Sequence, residues 1–458
     1  MQRNERLEQL ENAPLGKLLL QYSLPAIIGM AAMSIYHLTD SYFIGRWCGS
    51  YAISGFALVF PIVNLMIAFG ALVGMGGAAS LSIALGKGDH QLAFRILGHN
   101  IQLPLILNTS VGALLYFFLP EVLVFFGVTA ETYQPAYDFM AITVWTFPIT
   151  ASFMNLNHIT RASGYPKKAM WNMVATVIAN IILAPICIHF LGWGMKGAAI
   201  ATAGAQIFGL ALTIPHFLKK DSTVHFRPGI YKICGPIVRR IFAIGMPMCL
   251  LNICGCVVIT VFNHQLLAYN GPLGVGALGI VNRYSFVFIM VVMGIAQGMQ
   301  PIVGYNQGIG YYHRVKGTLF RAMGWATIST AVGFITCQLF AREIVSCFVN
   351  ESDPLAHQLI ELGTHGMELF TLAFFIIGAQ SIIGTFFQFI GKPAISIVLN
   401  LSRQVIILLP LLFILPQYWG ADGIWLAAAI SDVGAGMVCW TALFIYLHHI
   451  RKKSPLQL

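Results

Sequence analysis

The sequence predicts an all-α membrane protein with twelve transmembrane helices in two pseudo-symmetric six-helix bundles. The first observation is composition, since 57% of the 458 residues are hydrophobic and only 9% are charged, against about 25% charged in ordinary globular domains. The second is the length of the apolar segments, because a helix needs about 20 apolar residues to cross a bilayer. The third is an internal repeat of these segments.

Twelve apolar segments are long enough to be spans, and they are too long for the strands of a membrane barrel. Their predicted bounds are 16–44, 53–82, 96–119, 134–160, 168–191, 195–218, 238–267, 275–304, 316–341, 360–388, 394–416 and 422–448. We divide the chain into a helix-prone N-terminal lead-in (1–14), an N-lobe (15–218), a basic linker (219–237), a C-lobe (238–450) and a C-terminal tail (451–458). The lead-in and first span lack the cleavage site of a signal peptide.

The two halves of the sequence repeat each other. An offset of 222 residues places Pro25 on Pro247, and an offset of 227 places the GYP of 164–166 on the GKP of 391–393. Each half has an even number of spans, so the repeats are parallel and related by an axis along the membrane normal. Halves of this kind usually enclose a central site and rock around it. The repeat therefore favours a secondary transporter over a channel or a membrane enzyme.

Lysine and arginine divide unequally between the two sides of the predicted membrane domain. Of the 26 basic residues, 21 lie on the side that holds the termini and the loops after even-numbered spans, in those segments or in the span ends next to them. Only Arg46, Lys196 and Arg342 lie in the opposite loops, and Arg283 and Arg403 lie inside spans. The positive-inside rule predicts cytoplasmic termini for this multi-pass protein of the cell (inner) membrane. It also accounts for the net charge of +10 without a nucleic-acid partner.

Asp40 is the only acid between Glu11 and Asp89, and it ends a long apolar run. A charge inside a membrane costs at least a few kcal/mol, so we expect this carboxylate to be paired or used. Tyr36 precedes it by four residues and shares its helix face. A carboxyl group in apolar surroundings favours its neutral form and can take up and release a proton. The alternative is a solvated residue at the outer helix end.

Further polar side chains occur inside the spans of the same half. Asn180 in span 5 and Thr202 in span 6 could each donate to the Asp40 carboxylate or offer an oxygen to a cation. The simpler interpretation is a hydrogen bond between helices, which is common for these residue types in membranes.

The second half carries its own intramembrane charges. Arg283 in span 8 requires a carboxylate, a carbonyl cage or a water-filled cavity, and we expect it in the cleft between the halves unless it snorkels outward. Arg403 in span 11 poses the same question. Asp432 and Glu368 are the main intramembrane acids of this half.

Four motifs resemble one known family over essentially the whole chain. They are LLLQYSLPAIIGMAAMSIYHLTDSYFIG (18–45), GKGD (86–89), RASGYPKKAM (161–170) and NIILAPICIHFLGWGMKGAAIAT (180–202). The chain is thereby similar to the multidrug and toxic compound extrusion (MATE) family, nearest to its bacterial DinF-like and MepA-like branches. The resemblance implies two six-helix bundles around a V-shaped cavity. It also implies export of amphipathic, often cationic drugs in exchange for H⁺ or Na⁺.

The resemblance also assigns roles to residues. The family's first-helix acid and nearby tyrosine fall on Asp40 and Tyr36, its asparagine and threonine of helices 5 and 6 on Asn180 and Thr202, and the helix-8 arginine of DinF-like members on Arg283. One position departs from the family pattern.

Family members commonly carry an acid one turn after the asparagine, where this chain has Ala184. A cation site with two carboxylates therefore cannot form in the N-lobe as it does in those members. This favours H⁺ carried by Asp40 over Na⁺, and leaves a contribution from Asp432 or Glu368 open.

The leading hypothesis is a proton-coupled drug antiporter that needs no cofactor and acts as a monomer on small amphipathic or cationic compounds. A flippase for a lipid-linked sugar is the second hypothesis, but it would line its cavity with several basic residues, and only Arg283 and Arg403 qualify. A membrane-embedded enzyme is the third, and it would need a clustered His, Asp or metal constellation that the sequence lacks.

Overall fold

The computed structural model describes residues 2–349 and 355–453, with side chains for 5–49, 51–349 and 355–449. All regular elements of this part are helical. They are α1 (Gln2–Asn12), α2 (Leu15–Cys48), α3 (Ser50–Gly86), α4 (His90–Phe117), α5 (Leu119–Phe125), α6 (Ala130–Ala162), α7 (Pro166–Pro185) with a π-helical end (Ile186–Phe190), α8 (Gly194–Leu218), α9 (Gly235–Ile309), α10 (Tyr312–Ser346), α11 (Ala356–Phe370), α12 (Phe374–Phe389), α13 (Pro393–Leu401), a π-helical segment (Ser402–Leu408) and α14 (Leu409–Lys453). Most of the predicted C-terminal tail, residues 454–458, lies outside the described residues.

These helices account for the twelve predicted spans. Ten segments are long and apolar enough to cross a membrane, if the bent pairs α4–α5 and α11–α12 count as one each. Two of the ten each contain two spans, because α9 is broken at Gly271 (φ 64°) and the run 393–449 at Gly420 (φ 57°). As one straight helix, the 75 residues of α9 would extend about 110 Å, far beyond a hydrocarbon core of about 30 Å. The all-α, two-bundle prediction is confirmed.

The two bundles share a core at one end and separate at the other. We call the end that carries α1 and the end of α14 the terminus side, and the opposite end the far side. On the terminus side, one buried cluster combines both lobes and includes Leu18, Val73, Ile241 and Met299. On the far side each lobe has its own core, around Met140 in the N-lobe and Trp425 in the C-lobe. The lobes therefore form a V whose cleft opens to the far side.

Glycines allow the lobes to approach closely on the terminus side. A Cβ atom on Gly76 would lie 2.0 Å from the carbonyl oxygen of Ile241, and one on Gly298 would lie 2.6 Å from the Cα atom of Ser23. Neither distance is sterically possible, so only glycine fits at these two crossings. Gly294 and Gly298 form a small-xxx-small pattern, which is typical of close helix packing in membranes.

The N-terminal helix α1 ties the two lobes together on the terminus side. The Arg6 guanidinium donates to the carbonyl oxygen of Gly164 in the N-lobe, 3.2 Å away. The C-lobe reaches the same segment from the other side, because Asn306 donates to the Leu10 carbonyl oxygen at 3.0 Å and Arg314 to that of Ala13 at 2.7 Å. The predicted lead-in is thus a strap across both lobes.

Candidate functional site

The far-side half of the N-lobe holds Asp40 inside the bundle. Its side chain is only 3% exposed, on the face of α2 that also carries Tyr36. Among the described residues its Oδ1 atom has no hydrogen-bond partner, and no cation forms an ion pair with it. The carboxyl group is therefore in surroundings that favour its neutral form, as the lone acid of the apolar run suggested.

Tyr36 and Thr202 meet beside this carboxyl group. The Tyr36 Oη and Thr202 Oγ1 atoms are 3.2 Å apart, which joins α2 to α8 by a hydrogen bond. Tyr36 also lies close enough to Asp40 for the two groups to interact electrostatically, as their four-residue spacing on one helix predicts. Three of the four residues proposed for ion coupling are thus gathered in one place.

Asn180 is the fourth, and it is fully buried on α7, which packs along α2. Neither its amide nitrogen nor its amide oxygen has a hydrogen-bond partner among the described residues. A buried amide without partners costs about 1–3 kcal/mol, so this group is available to a ligand or a moving proton donor. In this conformation Asn180 makes no side-chain hydrogen bond between helices among the described residues, contrary to the simpler interpretation.

Ala184 follows Asn180 by one turn and is completely buried in the far-side core of the N-lobe. A buried methyl group thus occupies the position at which the resemblance implies a second carboxylate in other members of the family. Within the described part of the chain, no group of three or more His, Cys, Asp or Glu side chains is placed to hold a metal ion.

Arg283 lies in the C-lobe, on the second limb of α9. It is exposed, and no ion pair joins it to Asp40 or to any other described acid. Met290 follows on the same face two turns later, and its sulfur accepts a hydrogen bond from Ser34 of the N-lobe at 2.7 Å. One turn further, Gly294 packs on Ile27 of the N-lobe. The contacts with the N-lobe on this face thus include Gly294 and Met290, and Arg283 lies two turns beyond Met290.

The charges of the C-lobe are arranged differently. Asp432 is 1% exposed, and its Oδ1 atom accepts a hydrogen bond from Arg403 Nε at 2.5 Å, so the two form an ion pair. Arg403 stands in the π-helical segment Ser402–Leu408, a distortion that is frequent at functional sites. Glu368 lies near the break between α11 and α12, partly buried, and its carbonyl oxygen accepts from Gln338 at 3.0 Å.

Two polar links across the lobes were missed in the sequence. Arg161, 8% exposed, donates to the side chain of Gln297 in the C-lobe, and Gln300 donates to Ser82 Oγ at 3.0 Å. Arg161 had been counted with the basic loop that follows span 4. Because α6 continues to Ala162, this arginine belongs to the helix. The signal was the glutamines themselves, two amides in an otherwise apolar span.

Comparison with known proteins shows which family the chain matches. A family model described as MatE matches residues 25–186 and 243–414, one segment in each lobe. The multidrug export protein MepA of Staphylococcus haemolyticus is 27% identical over 448 residues, which cover 97% of this chain and 96% of that protein.

Two solved structures extend the likeness to the fold. The MATE multidrug transporter DinF-BH is 31% identical, with a TM-score of 0.86 over 95% of this chain and 96% of its own. A multidrug resistance MATE family transporter in an outward-facing conformation is 22% identical, with a TM-score of 0.89 over 97% of this chain and 98% of its own. This chain belongs to the MATE family, whose members are membrane transporters and not enzymes.

Proposed function

We propose that this protein exports amphipathic, often cationic compounds in exchange for protons, and that Asp40 carries the proton. Its relative in Staphylococcus haemolyticus is a multidrug export protein, which supports the direction of transport and a range of drug-like substrates. The observation that carries the coupling ion is the isolation of Asp40, a buried carboxyl group without an ion-pair partner among the described residues.

The orientation in the membrane is part of this proposal. The terminus side carries most of the basic residues, so we place it in the cytoplasm of the cell and the cleft toward the outside. In this orientation the described conformation faces outward, and we propose that the exposed Arg283 side chain lies at the open part of the cleft. Both walls of the cleft come from one chain, so the proposal treats the transporter as a monomer surrounded by lipid.

Coupling follows from the charge of a single carboxyl group. When Asp40 is ionised, its negative charge attracts a cation in the cleft, because the low dielectric constant of the lobe screens the interaction only weakly. A proton from outside neutralises Asp40, which weakens the hold on the substrate and lets it leave. Closing the far side and opening the terminus side then exposes Asp40 to the cytoplasm, where loss of the proton restores the binding state. The hydrogen bond between Tyr36 and Thr202 is beside the carboxyl group and can rearrange with it.

A sodium ion fits the same place less well. Na⁺ requires several oxygen ligands together with compensating negative charge, and the site offers one carboxylate, the Tyr36 and Thr202 hydroxyls and one amide oxygen. The missing second acid at Ala184 lowers the negative charge further. H⁺ needs only the carboxyl group, and we therefore prefer it as the coupling ion.

The flippase alternative is weakened by the state of the two intramembrane arginines. Arg403 is held by Asp432 in an ion pair at 2.5 Å. Of the two arginines that the sequence analysis placed inside spans, this leaves Arg283 to meet a phosphate in the cleft. A lipid-linked sugar calls for a larger basic lining than one side chain.

Transport in inside-out vesicles tests the coupling ion directly. A fluorescent organic cation should be moved when a pH gradient is imposed alone, and movement should stop when the gradient is collapsed with a protonophore. A Na⁺ gradient imposed at equal pH should have no effect. Transport driven by Na⁺ alone would refute proton coupling while leaving multidrug export intact.

The orientation has its own test. A reporter fused after Leu458 should be active only if it is the kind that works in the cytoplasm, because 21 of the 26 basic residues lie on the terminus side. Activity of a reporter that requires the outer compartment would reverse the topology and the assignment of the cleft to the outside.

A further inference from the structure

A second concave site lies on the terminus side, between the lobes and away from the cleft. It is a cavity of about 370 Å³, a size within the usual range for small-ligand pockets. Its lining includes Lys87 at the end of α3, Arg240 and Gln307 of α9, and Gly391 and Pro393 at the start of α13. One cation therefore comes from each lobe. We call this cavity the open notch.

The internal repeat gives the open notch a counterpart in the other half. The offset of 227 relates Gly391 and Pro393 to Gly164 and Pro166, and the offset of 222 relates Ile244 of the lining to Tyr22. Tyr22 and Gly164 do lie together, because a Cβ atom on Gly164 would be 3.7 Å from the Tyr22 hydroxyl.

That counterpart is already filled by α1. Arg6 donates to the Gly164 carbonyl oxygen at 3.2 Å, and its guanidinium carbon lies 4.1 Å from the centre of the Tyr165 ring. An arginine from the N-terminal strap thus occupies one of the two related notches. Among the described residues, no segment of the chain fills the open notch in the way that α1 fills its counterpart.

The two notches differ in charge, and the difference indicates what each can accept. The residue related to Arg240 is Leu18, so the open notch has a guanidinium where the filled one has an apolar side chain. With Lys87, this guanidinium gives the open notch two cations, which suit an anion. Lys392, the residue related to Tyr165, does not line the cavity, and its ammonium nitrogen lies 4.3 Å from the centre of the Tyr446 ring. Asp89 is close enough to Arg240 to attract it, but it caps α4 by accepting from the Leu92 amide at 2.9 Å and does not line the cavity.

We propose that the open notch binds a phosphate-bearing anion, which bridges Lys87 of the N-lobe and Arg240 of the C-lobe. Charge-assisted hydrogen bonds from ammonium and guanidinium groups are the strong bonds that hold phosphates. The Gln307 side chain adds a donor, since its oxygen has no partner among the described residues and its amide can turn its nitrogen toward the anion.

Such a bridge has a conformational consequence. Its two anchors belong to different lobes on the side that must part when the transporter opens toward α1. A bound anion therefore stabilises the described state and raises the barrier to opening. The anion could be the head group of a phospholipid in the adjacent leaflet or free phosphate, and the experiment must separate these sources.

The test compares the purified full-length protein in three surroundings. They are nanodiscs of phosphatidylcholine, nanodiscs with added phosphatidylglycerol, and phosphatidylcholine nanodiscs with inorganic phosphate in the buffer. We expect the thermal unfolding temperature to rise with phosphatidylglycerol if the source is lipid, or with inorganic phosphate if it is free. No rise of the wild-type protein in either arm would overturn the proposal.

Variants locate the effect. Lys87→Gln and Arg240→Gln should each weaken binding about tenfold, the loss of roughly 1.4 kcal/mol, whereas Arg240→Lys should keep most of it. Lys219→Gln is the matched control, because it removes an exposed charge from the same side without touching the notch. Lys87 is exposed, so its variant should fold even if that of Arg240 does not. An equal loss in the Lys219 and Lys87 variants would assign the effect to general surface charge and refute the notch.

Discussion

Asp40 and Asp432 are the two buried acids of the described chain, and the lobes treat them in opposite ways. Asp40, 3% exposed, has no ion-pair partner there, while Asp432, 1% exposed, is held by Arg403 at 2.5 Å. When a paired buried acid is protonated, the charge of its partner is left without compensation. When an unpaired buried acid is protonated, no ion pair is broken and the cost of a buried charge is removed. The comparison teaches that burial alone does not make a proton carrier, and that the N-lobe acid is the one free to change its charge.

A substitution of Asp40 tests the difference between the two acids most directly. Asp40→Asn keeps the size and hydrogen bonding of the side chain but removes its titration, so pH-driven efflux should collapse to background while the protein still inserts and folds. Vesicle transport and thermal unfolding of the same preparation measure the two outcomes. Asp138→Asn is the control, since the contacts of Asp138, an ion pair with Lys196 at 3.6 Å and a hydrogen bond from Gln134 at 2.8 Å, are partly exposed. If Asp40→Asn transports like the wild type, Asp432 and Glu368 become the candidates.

The opposite result is expected at Asp432. Asp432→Asn leaves the Arg403 charge without its partner, and breaking a buried pair costs about 3–5 kcal/mol. Because Arg403 keeps 27% of its side-chain surface exposed, we expect the lower end of that range. The loss should appear as a lower unfolding temperature. Arg403→Gln alone should lower the unfolding temperature in the same way.

The double variant Arg403→Gln with Asp432→Asn completes that experiment. It replaces two charges by two neutral amides, so it should recover much of the stability that either single variant loses. Additive losses in the double variant would mean that the pair contributes nothing as a pair.

A smaller effect is expected at the hydroxyls beside Asp40. Tyr36→Phe removes the hydrogen bond to Thr202 and keeps the ring, at a cost of about 1 kcal/mol. Efflux should fall a few-fold but remain driven by the pH gradient, which a series of external pH values would measure. Complete loss of pH-driven efflux would move the proton role from Asp40 to the Tyr36–Thr202 pair.

The smallest effect concerns the coupling ion. Ala184→Asp restores a carboxylate one turn after Asn180 and should add a Na⁺-dependent part to efflux, because two acids can then share a cation. Efflux at fixed pH with and without a Na⁺ gradient measures it. An unchanged response would mean that Ala184 is not what keeps Na⁺ from this site.

Much of the fold could be predicted from the sequence because each span is encoded locally. The length of a span can be read from its apolar run, and glycines such as Gly271 and Gly420 lie where the chain turns from one span to the next. The pairing of side chains on different helices is not encoded locally. Arg403 and Asp432 are 29 residues apart on successive spans, and whether they meet depends on helix rotation and height that no residue count supplies.

The candidate site divides in the same way. The spacing of Tyr36 and Asp40 predicted a shared helix face, and the structure has them together. The contact of Tyr36 with Thr202, 166 residues away, needed the packing of α2 on α8. For Arg161, the sequence interpretation placed the end of span 4 too early, and with it the arginine in a loop. The role of each site residue in transport stays a prediction.

The strap α1 also sets an order on synthesis. The groups that hold it on the C-lobe side, Asn306 and Arg314, follow Leu10 by about 300 residues. At roughly 5–20 residues per second, the ribosome needs on the order of tens of seconds to deliver them. Throughout that interval the new N-lobe stands in the bilayer with its glycine-lined flank bare and its leading helix fixed at one end only. The first residues made are thus among the last to reach their final contacts.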